Sequence, residues 1–463
     1  MTTVCTADQM RAAEQTWFDA HPGQDLMQVA AHAVALEAER MLGATSDRQR
    51  VLVMVGGGNN GGDGLFAAAE LASSGRSVEL LSVLGIPHAE GWRAALAAGC
   101  RQVTPTDVLR QRYDLAVDAV LGIGGRPGIP RILMRTDEWL QRTGTPVLAV
   151  DLPSGLVADS GQVATAVHAA ATVTFASRKW CHLTHPAARR CGEVVVADIG
   201  VDVLDADDVT AREDVAHLWP VPGPRSDKYS RGVVGLDTGS AQYSGAGVLG
   251  VLGALRTGPG MVRCAGPDNV GDRVVSRTPS VVLGEGRVQA WVVGSGWGPA
   301  AENAARLDRR LADGVPVVVD ADALAVLPRR IPGNCLLTPH AGELARMLGV
   351  DRSEVEDDPR GHCLAGARMF AATVLLKGSV QWVATPSGEV VAALPGPAWT
   401  GQAGSGDVLA GMCGTLLATG MEAREAAVCA ASLQALTAIL NPGPWSPDQL
   451  ADMFPSTIAG LVG

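Results

Sequence analysis

Two stretches of this chain set a carboxylate beside a glycine-rich turn. In VLVMVGGGNNGGDGL, Gly56, Gly58 and Gly61 follow an apolar run, with Asn59 and Asn60 at the turn and Asp63 after it. In TGQAGSGDVLAGM, Gly404, Ser405 and Gly406 immediately precede Asp407 and a long apolar helix. Glycines let backbone N–H groups converge on an anion at a helix N-terminus. A carboxylate next to that cradle can take a proton from an attacking hydroxyl. The first stretch is not a Walker loop, because no Lys-Ser/Thr pair follows. The G-x-G-x-x-G spacing of Gly56, Gly58 and Gly61 is weak evidence by itself. Asn59, Asn60 and Asp63 add oxygens that could hold a monovalent cation. Helix capping is the structural alternative for Asp63.

Two further runs end in matching chemistry. YDLAVDAVLGIGGRPG carries Asp118 and then a glycine loop with Arg126, and VLAVDLPSGLVADSG carries Asp151 followed by Ser154 and Gly155. Ligands of parallel sheets bind outside the carboxyl ends of strands, so these three strand ends are expected to share one site. His340 follows an apolar run and Pro339 and precedes a helix expected to start near Gly342, a loop position able to face a ligand.

These groups need strands to carry them, and the pattern supplies them. Short β-branched runs alternate with longer Ala/Leu-rich ones, which predicts α/β folds with parallel sheets. The first half reads as strands at 51–55, 77–81, 115–120, 147–150, 172–175 and 194–197, with helices over 25–41 and 63–73. Acidic residues and the prolines of WPVPGP place a stiff linker between Asp202 and Pro224, with a helix over 211–218. The domains are thus expected at 1–215 and 220–463. The second half reads as strands at 233–236, 262–265, 290–293, 315–319, 335–337, 373–376 and 380–384. Its helices are expected over 246–256, 300–311, 405–419 and 424–440.

Composition narrows the class. Hydrophobic residues make up 47% of 463, enough for sizeable cores. The net charge of −11 argues against a nucleic-acid groove, and Arg306, Arg309 and Arg310 read as a solvated helix face. Nine cysteines without a C-x-x-C pair predict neither a disulfide framework nor a structural zinc. A reducing, cytoplasmic setting follows from that count. No N-terminal signal segment and no membrane-length apolar stretch is expected.

The motifs NNGGDGL, VDAVLGIGGRPG and AVDLPSGLVADSG resemble the NAD(P)HX epimerase family, over about residues 10–201. That resemblance implies a Rossmann-like three-layer domain. Asn59, Asn60, Gly61, Gly62 and Asp63 would hold the substrate with the loop Gly122, Ile123, Gly124, Gly125, Arg126, Pro127 and Gly128. Asp151 would be the acid/base carboxylate, and Asn60, Asp118 and Ser154 would ligate K+. Ile123 stands where the family favours Thr, and Leu121 where Phe is frequent.

The motifs DKYSRGVVGLDTGSAQYSG, AWVVGSGWGP, VVVDADALAVL, LLTPHAGE, LLKGSVQWVATPSG and AGSGD resemble the ribokinase-like ADP-dependent NAD(P)HX dehydratase family, over about residues 225–440. By that resemblance Lys377, Gly378, Ser379, Val380, Gln381 and Gly406 would contact ADP. Asp407, His340, Ala246 and Gly296 would face the hydrated cofactor. Ala341 and Gln402 depart from the family's usual residues. Mg2+ could accompany the nucleotide.

The pair implies a bifunctional enzyme that epimerises R- and S-NADHX and NADPHX and dehydrates the S form with ADP, giving AMP and phosphate. Each activity explains the other, because hydration yields two epimers and a selective dehydratase needs an epimerase. A homo-oligomer is expected, with no nucleic-acid or membrane partner. The alternatives are a vitamin-type small-molecule kinase, which shares the glycine-aspartate anion hole, and a first domain that only binds nucleotide or protein. A Rossmann dehydrogenase fits less well, since nothing resembles a hydride-transfer site.

Overall fold

The computed structural model describes residues 2–43, 49–328, 331–332 and 334–463. The chain forms two compact units, Thr3–Asp207 and Asp208–Gly463. The second therefore starts ahead of the proline-rich stretch. Arg212–Leu218 is a helix, as the pattern predicts, but it packs on the helices Ala423–Leu440 and Phe454–Val462 of the second unit.

In the first unit seven parallel strands lie in the order Arg101–Gln102, Ser77–Ser82, Arg50–Val55, Leu115–Ala119, Val147–Val150, Ala171–Phe175, Glu193–Ala197. RVLVMV is apolar at successive positions because both faces of a central parallel strand are covered. Val51, Val53 and Val55 pack under Leu26–Leu42 and Asn59–Ser73, while Leu52 and Met54 meet Leu133 and Leu140 of the helix Arg131–Thr143. The strand order reverses between Arg50–Val55 and Leu115–Ala119, and a crevice forms outside the strand ends at such a switch point. A short parallel ladder, Val4 on Arg178 and Cys5 on Lys179, fixes the segment after Phe175.

Among the described residues the second unit repeats the logic with nine strands and a tenth, Asp207–Val209, added parallel to Val390–Ala392. The order of the nine is Val282–Leu283, Met261–Cys264, Val233–Asp237, Ala290–Val293, Val317–Val319, Cys335–Leu337, Thr373–Leu376, Trp382–Ala384, Val390–Ala392, and the last two add antiparallel. Here the order reverses between Val233–Asp237 and Ala290–Val293. The helices Ser244–Arg256 and Ser405–Ala418 approach so closely that a Cβ on Gly253 would overlap the carbonyl of Val408, and one on Gly411 that of Gly250. These glycines let Asp407 stand against the first helix of the sheet.

Several expectations are corrected. The helix read as starting at Asp63 begins at Asn59, with Gly58 as its N-cap, so Asp63 lies inside the helix and caps nothing. The strand read from Val380 begins at Trp382, because residues 377–381 form the turn between antiparallel strands. Arg306 and Arg310 are not a solvated face. They lie four apart on Asn303–Ala312 and turn inward to pair with buried Asp237, and Arg310 stacks 4.1 Å from the centre of the Trp291 ring. The helix Ala423–Leu440 is, by length and composition, long and apolar enough to cross a membrane, contrary to the sequence reading. Most of it is buried in the core of its unit, among residues such as Leu433 and Phe454. All nine cysteines are free and buried.

Candidate active sites at two topological switch points

In the first unit the three expected strand ends do converge. Asp118 is fully buried at the end of its strand, and it accepts hydrogen bonds from the Ser154 amide (2.8 Å), the Ser154 hydroxyl (2.7 Å) and the Val120 amide (3.3 Å). Burial nevertheless pushes its carboxyl up to about 6. The Ser154 hydroxyl also accepts from the Leu121 amide, tying two loops together. A Cβ on Gly122 would lie 2.9 Å from Oδ1 of Asn60 and 3.1 Å from Oδ2 of Asp151, so only glycine lets those two groups flank this loop. The Nδ2 atom of Asn60 is buried without a hydrogen-bond partner. Gly125 closes the loop onto the Gly122 carbonyl (2.7 Å), Gly128 binds the Gly155 carbonyl, and Arg126 is exposed.

Asp151 is the most constrained member. Its backbone has φ +66°, a left-handed conformation uncommon for a residue with a Cβ. Oδ2 accepts from the Ile123 amide (2.9 Å), and Oδ1 meets the Thr174 hydroxyl (3.1 Å) and the Lys179 ammonium (2.9 Å). Burial pushes this carboxyl up, but the adjacent Lys179 charge and hydrogen bond outweigh it and hold Asp151 below its ordinary value. Lys179 is 1% exposed, and its ammonium also reaches the Thr174 hydroxyl and the Phe175 carbonyl. A buried ion pair persists only when its donors are satisfied in this way. His182 binds the Asp151 carbonyl through Nε2 (3.0 Å) and the Lys179 amide through Nδ1 (3.0 Å). Sequence reading missed Lys179 and His182 as site residues. The signal was a lysine closing the segment TVTFASRK just after an expected buried strand.

Asp63 lies among like charges, with Asp151 the strongest. The residue is 8% exposed, and its carboxyl makes no hydrogen bond or ion pair among the described residues. Burial raises it well above its ordinary value, and Asp151, Glu14 and Asp25 add to the rise.

In the second unit a cleft of about 580 Å³ opens at the switch point. Its walls include Tyr243, Ala246, Gly296, Asp322, Gly404 and Asp407. Gly404 caps the Ser405–Ala418 helix with φ +94°, and Gly296 turns with φ +66°. Asp407 in the first helical turn is pushed up to about 7 by burial and by the Asp320 charge, with Lys377 pulling the other way. Lys377 pairs with Asp320 (2.7 Å), which also accepts from the Ser295 and Thr338 hydroxyls. The Lys377 ammonium lies 3.3 Å from where a Cβ on Gly406 would be, so it stands over the glycine helix start.

The structure thus brings Ala246, Gly296 and Asp407 into one cleft, and Lys377 beside Gly406. Gly378, Ser379 and Val380 form the following turn, and Gln381 has a buried Oε1 without a partner. His340 is outside the cleft lining. It caps the Ala341–Leu348 helix, accepting the Gly342 and Glu343 amides at Nδ1, and forms a β-bridge to Lys377.

Comparisons with known proteins agree with this layout. Residues 23–181 match the family described as the YjeF-related protein N-terminus, and residues 234–451 match NAD(P)H-hydrate dehydratase. The bifunctional NAD(P)H-hydrate repair enzyme Nnr of Mycobacterium tuberculosis is 41% identical over 91% of this chain and 90% of its own length. The chain belongs to the bifunctional NAD(P)H-hydrate repair enzyme family. The Mycobacterium leprae member of that family is 40% identical over 94% of both chains. The second unit is similar to the crystal structure of an ADP/ATP-dependent NAD(P)H-hydrate dehydratase from Bacillus subtilis co-crystallised with ATP/Mg2+. That structure is 25% identical, with a TM-score of 0.53 over 55% of this chain and 99% of that one. A ribokinase-like superfamily protein of Enterococcus faecalis shares the fold at 18% identity and TM-score 0.50, over 55% of this chain and 96% of that one.

Proposed function

We propose that the two sites of this repair enzyme work in sequence on hydrated nicotinamide cofactors. The first interconverts R- and S-NAD(P)HX, and the second dehydrates the S form with ADP, releasing AMP and phosphate. The observation that carries the reading is Asp407, a carboxyl pushed up to about 7 at a glycine helix start, with the Lys377 ammonium over that start.

At the second site Asp407 takes the proton of the ring hydroxyl. The freed oxygen attacks the β-phosphorus of ADP, and AMP departs. Amides of Ser405 and Gly406 with the Lys377 charge stabilise the moving phosphoryl group. Phosphate is a far better leaving group than hydroxide. The ring nitrogen expels it, a proton leaves the neighbouring ring carbon, and the dihydropyridine reforms. Gly378, Ser379, Val380 and Gln381 hold the nucleotide, while Ala246 and Gly296 leave room for the ring. His340 meets the substrate where it nears the phosphates. Mg2+, if bound, would accompany those phosphates and offset their charge.

At the first site the ring nitrogen expels the hydroxyl, and water returns on the other face. Asn59 to Asp63 and the Gly122–Gly128 loop hold the substrate, and Asp151 manages protons. K+ would sit among Asn60, Asp118 and Ser154. That donor set is hard and oxygen-rich, with the Asn60 side-chain oxygen, the Ser154 hydroxyl and the buried charge of Asp118. The ion would supply positive charge that steadies the substrate phosphates and the loops around them. A cytoplasmic homo-oligomer completes the proposal, its order to be read by light scattering.

The test supplies racemic NADHX with ADP, then with ATP, and follows near-ultraviolet absorbance. Wild type recovers all of the hydrate. Asp151→Asn recovers promptly only the S share, because unassisted epimerisation is slow. Recovery of the R share by Asp151→Asn at the wild-type rate would remove Asp151 from the first site.

A further inference from the structure

The epimerase reading gives one buried carboxyl, Asp63, no part in the chemistry beyond lining the substrate. Asp63 lies one helical turn beyond Asn59, three residues past Asn60, on the helix that leaves the strand Arg50–Val55. Asp151 leaves the strand Val147–Val150. Between those two strands runs Leu115–Ala119, whose glycine loop begins at Gly122. Asn60, one helical turn before Asp63, and Asp151 both flank that loop at Gly122. At Gly122 no side chain separates the helix's Asn60 from Asp151.

Their surroundings could hardly differ more. Asp151 has an ammonium, a hydroxyl and an amide. Asp63 is more than nine-tenths buried and has none of these. A carboxylate left in this state would be costly, whereas a carboxylic acid is not. The charges Asp63 feels are all negative, with Asp151 the strongest, then Glu14 and Asp25. Two carboxyls whose environments drive them apart are the usual mark of an acid and base pair.

We propose that Asp63 is the second catalytic residue of the epimerase, the proton donor to the departing ring hydroxyl, while Asp151 receives the proton of the returning water. This rests on the epimerase reading of the first unit. The carbon–oxygen bond breaks as Asp63 protonates the oxygen and the nitrogen lone pair forms the iminium. Water then adds to the opposite face and gives its proton to Asp151. The enzyme ends with Asp63 ionised and Asp151 protonated, which is the form competent for the other epimer. Alternatively, proton exchange with solvent resets it. Glu14 and Asp25 favour the protonated form of Asp63, and Lys179 and His182 favour the ionised form of Asp151.

The experiment uses the full chain without nucleotide, so the dehydratase is idle, and follows conversion of R-NADHX to S-NADHX by chromatography. Asp63→Asn is expected to lower kcat by about 10²-fold or more, the usual span for general acid catalysis, with KM within about 3-fold. It should also abolish the fall in rate at high pH, which reports loss of the Asp63 proton. Asp151→Asn should abolish the fall at low pH instead. Asp63→Glu, which keeps the acid, should recover part of kcat and the high-pH fall. It also decides the matter if Asp63→Asn does not fold. Dehydration of S-NADHX with ADP should be unchanged in every variant. Asp63→Asn with near-normal kcat, with a change in KM alone, or with both limbs of the pH profile intact would overturn the assignment. So would Asp63→Glu that folds but recovers nothing. A wild type inert toward both epimers would instead defeat the epimerase reading itself.

Discussion

In the proposed reactions Asp151 and Asp407 do similar work under opposite electrostatics. Both follow strands or turns that meet glycine loops at a switch point, and burial pushes both upward. Lys179 touches Asp151 directly and overrides burial, holding it ionised. In the other unit the ammonium of Lys377 is bonded to Asp320 instead, so Asp407 feels it only at a distance and stays near 7. The difference suits the two reactions. Epimerisation needs a base that is already ionised. Dehydration needs a base that can accept a hydroxyl proton near neutrality, where proton affinity and availability are balanced.

The largest way to test this contrast is to delete each carboxylate. Asp407→Asn should lower dehydration by about 10³-fold while epimerisation stays within about 2-fold, since a base beside an anion hole acts only in its own site. Comparable loss of both activities would mean the sites are not separate. Next comes the charge that sets Asp151. Lys179→Met should cost epimerisation about 10²-fold and move the low-pH limb of its rate profile upward. It should also lower stability by about 3 kcal/mol, because Asp151 is left buried and unpaired. An unshifted limb would show that Lys179 does not set the ionisation of Asp151.

Smaller effects sharpen the comparison. Asp407 must lose its proton to act, so dehydration kcat/KM should rise as pH climbs through about 7. Epimerisation should show no such step from Asp151, which is already ionised there. Stability runs the other way. A folded carboxyl raised above its unfolded value holds its proton more tightly in the fold, so stability falls as pH rises from about 4 to about 7. Asp407→Asn should therefore raise the melting stability at pH 8 by on the order of 1 kcal/mol, a common gain when an active-site charge is removed. No gain would argue that the carboxyl is better solvated than its burial suggests.

Most of the fold was legible because β-branched runs mark buried parallel strands whatever surrounds them. Val147–Val150, Ala290–Val293 and Thr373–Leu376 lie where the pattern puts them. Helix starts were harder. Glycines and asparagines read as loop, yet the 59–62 segment is the first helical turn, with Gly61 packed on the Gly56 carbonyl and Asn60 against Gly122. The strand-end Asp118 and Asp151 and the helix-start Asp407 were readable as candidate site chemistry, since each carboxylate stands beside a glycine loop. Lys179 and the burial of Asp63 were not, because their meaning depends on a contact across 28 residues and on the absence of a partner. Arg306 and Arg310 misled for the same reason: Asp237, their counter-charge, is some 70 residues away.

The most direct test follows three products from S-NADHX and ADP with the full chain: reduced cofactor, AMP and free phosphate. Equal amounts of all three are expected from wild type and almost none from Asp407→Asn. A stable phosphorylated product, or undiminished turnover by Asp407→Asn, would contradict proton removal by Asp407 at a phosphoryl cradle.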